Sequence, residues 1–386
     1  MSLITELRFG IDPTHLSTRL VFWLGGAMCA LWAALVPFLK VRLAINEAEL
    51  GLLLLCLGAG SMCVMPFTGV IVSRFGCRRV VAVAWGMSLV LVPLIAMATS
   101  VEMAAIGIAL LGGMQGAGDV AMNIQSVVVE KRSGRAMLSG FHAMYSVGGL
   151  LGALIVTLLL NMNFGEMTTV IVMLLIFAII LSIAVPRCIV MLDDESEGRK
   201  RTEKRRFSGY VLFIGFLCFV MFLTEGSVQD WSAVYLREEA GMSPENAVLG
   251  FAFFSATMTL GRLTGDRLIE RLGRRKTVFF GGLLCAASFA LLGLGLTGPS
   301  TLIVFALIGV GASNLVPVFF WLAGNQNSMP VAQAMALAAT CGYIGILAGP
   351  AVIGFVAHVV SLPFAFGLIA LLVFVVAISS LKIQSE

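Results

Sequence analysis

Two carboxylates, Asp119 and Glu225, stand well inside long apolar runs of this sequence. A charged group at the centre of a bilayer costs a few kcal/mol or more, so an acid kept there points to chemistry that needs it. Asp119 and Asn123 are four apart, hence on one face of a helix, and Gln115 continues that face. The next apolar run brings His142, Tyr145 and Ser146. Carboxylates and imidazoles are groups whose protonation surroundings can tune toward neutral pH, which makes Asp119, His142 and Glu225 candidates for taking and releasing protons. A helical hairpin would set His142 beside Asp119 or Asn123, where the pair could equally be a structural contact. Glu225 has Arg237, Asn246 or a backbone group as structural partners to choose from. Asn123, Gln115, Tyr145, Trp32 and Asn314 are candidates for holding a polar solute; Trp32 could as well be packing or an interfacial anchor.

These residues need a scaffold, and composition says which. Of 386 residues, 59% are hydrophobic and 12% charged, which excludes a soluble surface. Runs of about 20 apolar residues, the length of a membrane-spanning helix, recur twelve times, from about residues 19–39 to 364–381. They are unbroken and about twice as long as the alternating strands of a membrane barrel, so the expected class is an all-α membrane protein with twelve transmembrane helices. The first helix is expected to be retained, not cleaved as a signal peptide. The eight cysteines form no CxxC pair and the three histidines no HExxH spacing. No metal and no cofactor is expected, and no nucleophile with a base or phosphate-cradling loop suggests an enzyme.

With alternate loops on opposite sides, all but three of the 25 Lys and Arg residues (Lys40, Arg42 and Arg237) share one face. The positive-inside rule makes that face cytoplasmic, giving a multi-pass inner-membrane protein, expected to be a monomer, with both termini in the cytoplasm. The basic stretch 187–208 is interleaved with Asp193, Asp194, Glu195, Glu197 and Glu203, which argues against nucleic acid as its partner.

The chain also repeats itself. Gly69-Val-Ile-Val-Ser73-Arg74-Phe75-Gly76-Cys77-Arg78-Arg79 superposes on Asp266-Arg-Leu-Ile-Glu270-Arg271-Leu272-Gly273-Arg274-Arg275-Lys276 at an offset of 197, which also sets Gly112 on Gly309 and Gly152 on Gly349. Parallel halves of this kind are one plan of secondary transporters. The expected domains are a six-helix bundle over 1–186, a basic linker over 187–208 and a second bundle over 209–386. Arg74, Arg78, Arg79, Asp266, Glu270, Arg271 and Arg274 become candidate gating residues.

Those two loops resemble the GxxxDRxGRR signature of the major facilitator superfamily, found in the same loops of its twelve-helix chains. The signature's acid is Ser73 in the first copy and Glu270 in the second, which implies a weaker lock in the first. The drug-antiporter signatures of that superfamily are incomplete: Gly112 replaces their arginine and Ala153 their proline. Gly118-Asp119-Val-Ala-Met-Asn123 followed by Phe141-His142 resembles the fucose permease branch, and Glu225-Gly-Ser-Val-Gln-Asp230-Trp231 resembles uncharacterised bacterial members. The resemblance implies a proton or sugar-hydroxyl role for Asp119 and a hydroxyl-binding role for Asn123. The expected function is therefore proton-coupled movement of a small polar, sugar-like solute by alternating access. The alternatives are an uncoupled metabolite or drug exporter and a membrane sensor that binds without transporting.

Overall fold

The computed structural model describes residues 12–190, 208–247 and 249–383, and the regular elements among them are all helical. The helices are α1 Pro13–Leu43, α2 Glu47–Ala96, α3 Val101–Ser133, α4 Leu138–Asn161, α5 Glu166–Ala184, α6 Gly209–Glu238, α7 Pro244–Ala247, α8 Leu249–Leu272, α9 Arg274–Gly293, α10 Thr301–Ala312, α11 Leu315–Asn325, α12 Val331–Val359 and α13 Leu362–Ser379, with 3-10 turns at Val185–Arg187 and Ser380–Lys382. Most of the basic linker lies outside the described residues.

Local chemistry sets several ends. Asp12 accepts the Thr14 N–H at 2.8 Å ahead of Pro13, which needs no donor partner in a first turn. Asn46 and Glu49 form a reciprocal capping box at 3.0 and 2.9 Å. Ser361 caps α13 through the Phe364 N–H.

Among the described residues, ten helical stretches are long and apolar enough to cross a membrane. One of them, Glu49–Ala96, breaks at Gly76, where φ is 81° and ψ 159°. The 24-residue α8 has the length, but Arg262, Asp266, Arg267, Glu270 and Arg271 lower its apolarity. Counting both halves of α2, and α8, gives the twelve crossings that hydropathy predicts.

The repeat is visible in the backbone. Gly273, between α8 and α9, has φ 78° and ψ 157°, the same conformation as Gly76 one repeat earlier. That region is accessible in practice to glycine alone. Gly76→Ala and Gly273→Ala are each expected to cost about 1–3 kcal/mol, read as a lower apparent Tm in detergent, whereas Gly86→Ala, in a helix with open space around its Cα, is expected to be neutral or slightly stabilising.

Two compact units are formed. The first is built from the chain up to Ser133, from Met144 to the linker, and from Asn327–Ala336; the second from Gly134–Ala143, from the linker to Gln326, and from Leu337 onward. Helices α4 and α12 each begin in one unit and continue in the other. Within the first unit, a Cβ on Gly112 would lie 1.9 Å from the Leu57 carbonyl oxygen, and Ser61 Oγ donates to the Gly112 carbonyl at 2.7 Å. Within the second, a Cβ on Gly309 would lie 2.3 Å from the Phe254 carbonyl oxygen. These are the same pair of positions one repeat apart, and small residues there let backbones touch, which drives helix association in lipid. Trp85, Phe22 and Phe177 fill the first unit, and Phe289, Phe305 and Phe366 the second. Leu52, Leu150, Ile179, Phe355 and Leu371 stand exposed, an apolar outer surface that only lipid would solvate.

Candidate functional site

The most polar cluster buried among the described residues lies in the second unit. Glu225, near the middle of α6, meets Arg262, near the middle of α8: Arg262 Nη2 donates to both carboxylate oxygens, at 3.2 and 3.4 Å. Arg262 also donates from Nε to the Ser313 carbonyl at 3.3 Å. That carbonyl is available because the crossing Thr301–Asn325 is broken into α10 and α11 at Ser313–Asn314. Asn314 Nδ2 donates to the Gly261 carbonyl at 3.2 Å and to Ser313 Oγ at 2.9 Å. Its Oδ1 is buried with no hydrogen-bond partner among the described residues and stands so close over Gly265 that a Cβ there would lie 1.8 Å away. Discontinuous helices inside a membrane protein are tolerated where the freed backbone lines a polar site. His142 belongs to this unit; its ring stacks on Phe320 at 5.8 Å between centroids and lies within the electrostatic reach of Arg262.

The first unit holds the other cluster, on α3. Asn123 Nδ2 donates to the Asp119 backbone carbonyl at 2.8 Å, a turn away on the same face. Asn123 Oδ1 and Gln115 Nε2 are buried with no hydrogen-bond partner among the described residues. Gly118 lets the Trp85 ring pack against the helix beside Asp119. Tyr145 approaches Gly25. Trp32 is buried.

The candidate amides Gln115, Asn123 and Asn314 thus each carry a buried polar atom without a hydrogen-bond partner among the described residues. Such atoms cost about 1–3 kcal/mol apiece when left without a partner and mark places where a polar ligand or water belongs.

The loops divide by role. Arg78 binds the end of α5: its backbone N–H donates to the Ile189 carbonyl at 2.8 Å and its Nη2 to the Pro186 carbonyl. Arg74 and Arg79 are exposed, as are Glu270 and Arg271, and Arg274 stacks on Trp321 with Cζ 3.6 Å from the ring centre. In the second unit Asp266 Oδ2 accepts the Gly140 N–H in the first turn of α4 at 3.0 Å, a carboxylate at a helix N-terminus. In the first unit a Cβ on Gly69, the position equivalent to Asp266, would lie 2.4 Å from the Ala332 carbonyl oxygen in the first turn of α12. The same loop position therefore meets the start of a helix in both units. Asp266→Ala is expected to lose about 1 kcal/mol of stability, with Gly69→Ala costlier because it strikes backbone; thermal unfolding in detergent reads both.

Several expectations are corrected by this arrangement. Glu225 pairs with Arg262, not with Arg237 or Asn246. Within the second unit, His142 stacks on Phe320. The acid that caps a helix start is Asp266, while Ser73 Oγ donates to its own helix at the Gly69 carbonyl, 2.9 Å away, and Glu270 is exposed. Arg262, which the charge tally assigned to the basic face, is buried mid-helix. Its signal was present in the sequence: a single cation inside the apolar run that ends near Asp266.

A helical membrane protein with duplicated halves, a broken helix and a buried charge pair beside the break has the build of a secondary transporter. The chain belongs to the Major Facilitator Superfamily, whose family model matches residues 20–328 and 231–383; it is a transporter and not an enzyme. It is 47% identical over 367 residues, covering 95% of this chain and 94% of the relative, to an uncharacterized MFS-type transporter of Yersinia pestis. Among solved structures it is similar to the E. coli fucose:proton symporter FucP, with TM-score 0.76, 16% identity, and coverage of 97% of this chain and 99% of that one. It is as similar, at TM-score 0.76, 14% identity and coverage of 95% and 99%, to the human organic anion transporter MFSD10. A sugar symporter and an anion transporter on one fold show that the fold does not choose the cargo.

Proposed function

We propose that this protein is a proton-coupled secondary transporter of a small polar, sugar-like solute in the inner membrane, with both termini cytoplasmic. The observation that carries the reading is the Glu225–Arg262 pair set against the break at Ser313–Asn314. A partly buried carboxylate with a fixed counter-charge holds two states that differ by one proton, and each state leaves Arg262 a different partner to satisfy. Protonation of Glu225 releases the guanidinium toward a solute oxygen; loss of the proton restores the pair. Asp119 is the second proton-accepting group, and Asn123, Gln115 and Asn314 offer amide donors and acceptors to hydroxyls. Asp266 at the start of α4 acts as part of the gate, together with the arginines of its loop. Uptake into vesicles of a labelled sugar panel, with and without an imposed pH gradient, tests the reading; transport indifferent to the gradient would return the protein to the uncoupled class.

Arg262 supports a second reading, in which the solute carries a carboxylate. Competition by sugar acids that exceeds competition by the matching neutral sugars would select it.

A further inference from the structure

A recess of about 520 Å³ opens at the start of α9 in the second unit. Its walls combine two chemistries that rarely coincide. Arg274, Arg275 and Lys276 form one side, and no described acidic residue lines it. Phe280 and Leu381, which also line it, are 57% and 54% exposed. Lys276 and Phe280 are four apart on α9, so a cation and a lipid-facing ring lie along one edge of the helix.

Two further observations indicate an anion. No side chain caps α9 at Gly273, and its first turn holds no acid, so the positive end of a 20-residue helix faces the recess without a carboxylate of its own. Ser380, which also lines the recess, is fully buried and its hydroxyl has no hydrogen-bond partner among the described residues. A donor left in that state costs about 1–3 kcal/mol and is relieved by an acceptor such as a phosphate oxygen. Lys382, close by in sequence, lies 5.7 Å from the Phe213 ring centre, which adds positive charge at the same end of the chain.

We propose that this recess binds the phosphate of an anionic membrane phospholipid, with Arg275, Lys276 and Ser380 holding the headgroup and Phe280 and Leu381 the root of an acyl chain. Phosphate alone would satisfy the cations and the hydroxyl; the exposed hydrocarbon beside them is what selects a lipid. Basic pockets at the headgroup level of membrane helices recognise anionic lipids in this way. The site is separate from Glu225, Arg262 and Asn314 and stands whether or not the transport reading holds.

Native mass spectrometry of the detergent-purified full chain, titrated with phosphatidylglycerol or phosphatidylcholine, tests it. The expected result is preferential retention of phosphatidylglycerol, weakened about twenty-five-fold in R275Q/K276Q on the scale of about fivefold per basic residue, with phosphatidylcholine unchanged. Equal phosphatidylglycerol binding by wild type and double variant overturns the proposal. Displacement of the lipid by millimolar inorganic phosphate also overturns it, and assigns the recess to a free anion. A photoactivatable phosphatidylglycerol on the wild-type protein keeps the test independent of the variant's folding: labelling is expected within residues 272–283 or 380–383, and labelling confined elsewhere refutes the site.

Discussion

Arg262→Gln is expected to lose about 3 kcal/mol of stability, because the variant leaves the partly buried Glu225 of α6 without the guanidinium that donates to both its oxygens. Glu225→Gln is expected to be destabilised on the same scale, for the mirrored reason. The neutral double variant Glu225→Gln with Arg262→Gln removes both charges and is expected to regain most of the loss, since the energy at stake is that of an uncompensated charge and not of the pair itself. Thermal unfolding of the four proteins in one detergent closes the cycle. Function should follow a different pattern. If the pair carries coupling, all three variants lose solute-driven proton uptake by at least about a hundredfold, equivalent to roughly 3 kcal/mol of barrier, and the double variant stays inactive although it is stable. Recovery of transport together with stability would show that the pair is structural alone.

The second large effect is expected at Asp119. Asp119→Asn keeps size and hydrogen-bonding capacity while removing the ability to ionise. The Asn123 amide donates to the Asp119 backbone carbonyl, a bond the substitution leaves intact, so folding is expected to change little. Solute accumulation against a gradient is expected to fall at least tenfold, about 1.4 kcal/mol, while solute counterflow at equal pH persists. Asn123→Ala should give the reverse: weaker apparent affinity for the solute with its pH dependence kept, because it removes an amide whose Oδ1 has no partner among the described residues. Unchanged accumulation in Asp119→Asn would take the carboxylate out of the coupling role.

The split between what was legible early and what was not follows from the range of the forces involved. Composition and run length were sufficient for twelve crossings, because transferring apolar surface into lipid depends on each segment by itself. The repeat was legible because Gly76 and Gly273 must both adopt a backbone conformation closed to other residues, so the same letters recur at the same spacing. The amides Asn123, Gln115 and Asn314 stood out for the same local reason: polar groups are expensive in apolar runs wherever those runs end up.

Partnership is different. Glu225 and Arg262 lie on helices whose approach is decided by packing, and nothing along the chain says which of Arg237, Asn246 or Arg262 will face the acid. The break at Ser313–Asn314 was invisible to hydropathy, since the crossing that contains it is uniformly apolar on either side. The assignment of His142 to Phe320, and of Asp266 to the first turn of α4, likewise depends on which unit each helix start joins. The sequence alone determined that this is a duplicated helical membrane protein with a few costly polar groups, because desolvation acts residue by residue. Only the tertiary structure decided which of those groups meet, because an ion pair or a hydrogen bond is made over about 3 Å between residues that the chain keeps far apart.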